Sequence, residues 1–114
     1  MDVQQSATAA LGNIGPDASA AVPSLILALR DPHMQEEVVK ALVKIGKGST
    51  RGLTAALQDK RDTKERAVLI DILGRIGPDA KDAVPLLTSI AANDKFPTIR
   101  QAAKEALGKI QRKE

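Results

Sequence analysis

The sequence predicts an all-α solenoid of about seven helices, and three observations predict it. A phrase recurs along the chain: Ala10-Leu11-Gly12-Asn13-Ile14-Gly15-Pro16, Ala41-Leu42-Val43-Lys44-Ile45-Gly46, Ile72-Leu73-Gly74-Arg75-Ile76-Gly77-Pro78 and Ala106-Leu107-Gly108-Lys109-Ile110. Its landmark leucines stand at 11, 42, 73 and 107, so the steps are 31, 31 and 34 residues. A period in this range marks stacked supersecondary units, none of which buries its apolar face alone. Around each landmark the apolar residues follow a helical period; Ile99, Ala102, Ala103, Ala106, Leu107 and Ile110 fall at offsets 0, 3, 4, 7, 8 and 11. Finally, no stretch alternates as a strand does. With one Phe and no Trp or Tyr, the core has to be aliphatic.

Taken in order, the first landmark helix (a B helix) covers about 3–14, with Val3, Ala7, Ala10, Leu11 and Ile14 on one face. Gly15 and Pro16 close it. A shorter A helix follows at 19–30, with Pro23 suited to its first turn. The next B helix carries Met34, Val38, Ala41, Leu42 and Ile45, and ends at Gly46, where a left-handed cap is expected. The middle A helix is expected at 49–58, after a shortened loop Gly46-Lys47-Gly48-Ser49-Thr50. Asp62 or Thr63 caps the third B helix, which carries Val68, Leu69, Ile72, Leu73 and Ile76 and stops at Gly77-Pro78. The last A helix is expected at 81–92 with Pro85 in its first turn, and Pro97 opens the last B helix. The division is one domain over 1–114: a partial repeat 1–15, full repeats 16–46, 47–77 and 78–110, and a tail 111–114. Because the pattern opens on a B helix without its A partner, a carboxy-terminal excerpt of a longer array is expected, or end-to-end self-association through that first helix.

Gly-Pro-Asp-Ala (15–18, 77–80), Ala-Val-Pro (21–23, 83–85), the turn residues Asp31, Asp59 and Asp94, and Ala-Leu-Gly-Lys-Ile (106–110) together resemble the HEAT-repeat family, in its short bacterial form also seen in phycobilisome lyase subunits. The resemblance covers nearly the whole chain. It implies a right-handed α–α superhelix of the HEAT and armadillo kind, with the B helices on the concave side. It also implies a ladder between neighbouring repeats, made by a turn Asp and an Arg early in helix B. Asp94 and Arg100 match that pattern, and Asp59 or Asp62 with Arg66 match it with a shifted turn. In the first full repeat Gln35 stands where the Arg would, so no ion pair is expected there. Some proteins of this fold, the bilin lyases and alkylpurine glycosylases, perform chemistry or handle cofactors. With Phe96 as the sole ring, a glycosylase-type aromatic base pocket is excluded.

The residues themselves offer little chemistry. His33 is the single histidine and reads as a turn residue, since a metal needs several converging ligands. There is no Cys, hence no thiolate nucleophile, no disulfide and no thiolate metal site. Gly46-Lys47-Gly48-Ser49-Thr50 lacks the spaced first Gly and the preceding strand of a phosphate loop. The carboxylate pairs Glu36/Glu37 and Asp59/Asp62 have no apolar pocket in view to separate their pKa values. The expectation is therefore a non-enzymatic chain without cofactor or metal. Without Cys, a signal segment or a run long enough to span a bilayer, a cytoplasmic setting and no membrane partner are expected.

What remains is surface. Three residues before the landmarks stand Val39 and Ile70, one after stands Val43, and six before stands Ala67. These apolar residues cluster on the two middle B helices, off the main core stripe, and mark a candidate partner surface. The same offsets are those a neighbouring B helix covers. Two residues after the landmarks stand Lys44, Arg75 and Lys109, which with Lys40, Lys47, Lys104 and Arg112 outline a basic rim interspersed with Glu36, Glu37, Asp71 and Glu105. The net charge is only +3. The expected function is a non-catalytic scaffold whose B-helix face holds another protein or another domain of the parent chain. Binding of nucleic acid or another acidic ligand through the rim is the alternative, not favoured because stacking aromatics are missing. Bilin-lyase-like cofactor handling is a third reading, carried by the resemblance alone.

Overall fold

The computed structural model describes residues 20–59 and 62–111. These form six α-helices and one 3-10 segment, with no strand among the described residues. The helices are α1 (Val22–Ala28), α2 (Gln35–Ile45), α3 (Lys47–Gln58), α4 (Thr63–Ile76), α5 (Val84–Asn93) and α6 (Pro97–Ile110). The 3-10 segment, Gly77–Ala83, leads into α5. The expected first B helix at 3–14, its Gly15-Pro16 stop and any end-to-end contact it could make lie outside the described residues.

Local chemistry sets the helix boundaries. Pro23, Pro85 and Pro97 occupy first turns of α1, α5 and α6, where a missing N–H costs nothing. Asp62 is the N-cap of α4, its Oδ1 accepting the Lys64 N–H at 2.8 Å. Gly46 and Gly77 end α2 and α4 at φ 64° and 75°. Their ψ values, −119° and −143°, lie outside the left-handed helical cap expected from sequence, in a region open to glycine alone. At Gly46 the consequence is direct: the chain reverses at one residue and α3 begins at Lys47. The expected loop of residues 46–50 is thus mostly helix. Ser49, fully buried in it, donates its hydroxyl at 2.8 Å to the Leu42 carbonyl, which also accepts the Gly46 N–H at 3.0 Å, and so ties the start of α3 to α2.

The helices pair into antiparallel hairpins, α1–α2, α3–α4 and α5–α6, and the hairpins stack into an all-α solenoid. The A helices α1 and α3 pack side by side, and α3 also packs on the 3-10 segment, where the Thr50 hydroxyl donates to the Asp79 carbonyl at 3.4 Å. The B helices run α2, α4, α6 across the other layer. Between the layers lies one aliphatic core, with Leu42, Ile45, Leu53, Leu57, Ile72, Leu73, Leu87 and Ile99 at most 2% exposed. Each such side chain contributes about 1.5–3 kcal/mol on burial. The sole aromatic, Phe96, stays 41% exposed in the turn before α6.

Candidate functional site

The B-helix face is built from residues at matched register on α2, α4 and α6. Its two seams differ. Between α4 and α6, Gly74 lies so close to the next helix that a Cβ there would meet Ala106 Cα at 3.2 Å and Cβ at 3.3 Å. Only a small gap of about 40 Å³ remains, lined by Asp71, Gly74, Ala102, Glu105, Ala106 and Lys109. Between α2 and α4 the position matching Gly74 is Val43, which is half-buried against the core. Here an open groove of about 610 Å³ runs over Val39, Ala67 and Val68, with Pro32, Gln35, Glu36, Lys40, Asp71 and Arg75 around it.

Charge follows the same division. Arg66 of α4 reaches forward to Asp94 in the turn before α6 and forms an ion pair in which the two side chains are 11% and 10% exposed. Arg100 closes the same turn by donating to the Asp94 carbonyl at 2.7 Å. Burial alone would raise the Asp94 pKa. Hydrogen bonds from the Arg66 guanidinium and the Phe96 N–H, with the charges of Arg66 and Arg100, outweigh it and hold the carboxyl below its ordinary 3.8. This is the ladder that the sequence led one to expect, with Arg66 pairing to the next turn rather than to Asp59 or Asp62. On the preceding hairpin Gln35 turns back on its own turn, donating to the Leu29 carbonyl at 3.4 Å. The first and second hairpins are bridged instead by an exposed pair, Arg30 to Glu65 at 3.1 Å. Two further clefts, of about 380 and 330 Å³, flank that pair.

The predicted surface residues therefore separate. Val39, Ala67 and Arg75 meet in the groove, and Val43 is half-buried beside it. Ile70 does not belong to a partner surface: it is 0% exposed. It stands one turn before Gly74, on the stripe that the close approach of α6 covers. Lys44, Arg75 and Lys109 are exposed. Arg75 pairs with Asp71 at 3.0 Å, and Lys40 with Glu36 at 3.4 Å, so the groove rim is close to neutral. The Lys109 stem lies near Gly74, its Cδ 3.4 Å from where a Cβ would stand. Sequence reasoning missed Pro32, Gln35 and Val68 as groove walls. The available signals were Gln35 in place of a ladder Arg and Val43 in place of a seam Gly. No group of three or more His, Cys, Asp or Glu able to hold a metal occurs among the described residues, and no helix there is long and apolar enough to cross a membrane.

Stacked helical hairpins with an open B-helix face define a helical-repeat protein. The comparisons give its family. The model described as HEAT repeats matches residues 50–114, and that of the PBS lyase HEAT-like repeat matches residues 3–31. The chain belongs to the HEAT-repeat family. A curated relative, the phycocyanobilin lyase subunit beta of Thermosynechococcus vestitus, is 33% identical over 96 residues, which is 82% of this chain and 44% of the relative. The chain thus spans less than half the length of that relative. No solved structure matches it. The relative overturns one expectation: a chain of this kind is not to be classed as non-enzymatic, since the relative is by name a lyase subunit. A catalytic motif scan of one short sequence misses this, because a repeat protein can contribute to a reaction through shape and partner contacts rather than a local motif.

Proposed function

We propose that the chain is a helical-repeat module that holds a partner protein on its B-helix face, centred on the α2/α4 groove. The observation that carries this reading is the open, apolar-floored groove with balanced charges on its rim. Apolar floors give contact area, while rim charges choose orientation. The partner is a separate protein or another part of the same parent chain. Val39 and Ala67 form the floor, Val43 supports it, and Lys44, Arg75 and Lys109 lie at the edge. In co-precipitation from cells producing the tagged chain, a defined protein is expected with the wild type. It should be lost with a Val39→Glu/Ala67→Glu variant whose circular dichroism is unchanged. Equal recovery by that variant removes the face from the function.

The name of the relative favours a second reading: the chain serves a bilin lyase, by handling the bilin or by holding the subunit or acceptor that does. The groove volume lies within the range of about 300–1,000 Å³ usual for small-molecule sites. Mixing the chain with free phycocyanobilin tests direct handling. A saturable change in the visible absorption is expected on this reading; an unchanged spectrum at equimolar protein leaves only the partner-holding role.

A further inference from the structure

We infer that the first hairpin is a hinged arm, pivoting at Gly46 and latched at its far end by the Arg30–Glu65 pair, and that this latch governs how wide the α2/α4 groove stands. The inference rests on the protein-holding reading only in naming what the latch controls.

The seam between the first two hairpins is a wedge. At its closed end Gly46, at φ 64°, joins α2 to α3 through one residue. Beside it α1 and α3 pack closely: a Cβ on Gly52 would stand 2.6 Å from Val22 Cγ1. Val22, Ile45 and Leu53 at this end are at most 1% exposed. The other end is hollow. The α2/α4 groove shares Pro32, Gln35 and Val68 with the cleft of about 380 Å³, and that cleft shares Ile26, Arg30, Glu65 and Leu69 with the cleft of about 330 Å³. A hollow thus runs round the turns from the B face to the A face. Leu29, Met34 and Leu69 at this end keep 5–9% exposure.

Arg30 and Glu65 bridge the hollow. Arg30 follows α1 and Glu65 lies in the first turn of α4, so their contact at 3.1 Å ties the far end of the arm to the rest of the stack. From Val22 to Arg30 the helical rise is about 12 Å, so a swing of about 15° at the closed end moves the latch by about 3 Å. The pair is 53% and 37% exposed, so water and salt screen it and it holds the arm weakly. At the next seam the pair of Arg66 with Asp94 is nearly buried, where added salt screens it far less. With the latch undone, the first hairpin stays fixed at Gly46 and swings at its turns. Because Pro32 and Gln35 belong to the arm and Val68 to α4, the same swing widens the groove.

The chain has no cysteine, so spin labels attach only where Cys is introduced. Glu36→Cys with Lys64→Cys places labels on the first turns of α2 and α4, across the hollow end. Lys64→Cys with Thr98→Cys spans the α4/α6 seam as a control. Electron–electron double resonance of the first pair at low salt should show one main distance and a minor population longer by about 3 Å or more. High salt, or Arg30→Gln at low salt, should raise that population about two- to fivefold, and salt should add nothing further to Arg30→Gln. The reversal Arg30→Glu/Glu65→Arg should restore the wild-type distribution and its response to salt. The control pair should stay unmoved throughout. Indifference of the first pair to salt and to Arg30→Gln, no rescue by the reversal, or an equal change in the control pair would each overturn the inference. Partner capture is tested separately by Val39→Glu/Ala67→Glu, so the protein-holding reading survives loss of the latch. If that variant captures the partner as the wild type does, the holding reading fails while the distances still decide the hinge.

Discussion

The α4/α6 seam and the α2/α4 seam are made from the same repeated phrase, yet one is sealed and the other open. Two positions differ between the seams. Gly74 lets α6 approach within van der Waals contact, whereas the matching place on α2 carries the larger, half-buried Val43. Arg66 locks onto Asp94, whereas Gln35 folds back to its own turn. A repeat protein can thus open a groove by changing two positions of one interface. The sealed seam supplies rigidity to the open one, since α4 belongs to both.

The largest expected effect comes from breaking the lock. Arg66→Ala leaves the nearly buried Asp94 carboxylate with only the Phe96 N–H and the Arg100 charge, and should lower unfolding free energy by about 3 kcal/mol in urea titration. Gln35→Ala, its counterpart at the open seam, should change it by no more than about 0.5 kcal/mol. Near-equal losses would erase the proposed distinction. Next comes Gly74→Val, which forces a side chain into Ala106 and should cost about 1–3 kcal/mol. That variant should also widen the α4/α6 seam until it resembles the α2/α4 groove, visible in a crystal structure.

The smallest effect is a pH dependence. Because the Asp94 pKa is lowered in the folded protein, the folded state binds fewer protons than the unfolded chain near pH 4. Its contribution is complete above the ordinary carboxylate range and is lost as pH falls through the depressed folded value. Thermal melts between pH 2 and pH 7 should therefore show part of the acid-side loss vanish in Asp94→Asn. An unchanged acid slope would mean the pair is not coupled to folding.

The helices were legible because their faces repeat at 3.6 residues and their ends carry Gly, Pro and Asp in fixed places. Pro97 and Asp62 act as read. Residues 47 and 48 were left outside the middle A helix because polar, Gly-rich sequence looks unstructured until Gly46 is seen to turn the chain by itself. Ile70 was misread because periodicity tells which positions on a helix are apolar, but not how many neighbours cover them. Val39 and Ile70 share a register, yet α6 and its small residues bury one while the α2/α4 gap leaves the other half-exposed. Groove walls such as Pro32 and Val68 come from two hairpins, and a one-dimensional pattern does not bring them together.

Native-state hydrogen exchange measures the contrast between the seams most directly. Amides of α6 around Ala103 to Leu107 should open only with a free energy near that of global unfolding, while amides of α2 around Val38 to Leu42 should exchange through a cheaper opening. Equal opening free energies for the two helices, or greater protection in α2, would contradict the division of the stack into a sealed and an open interface.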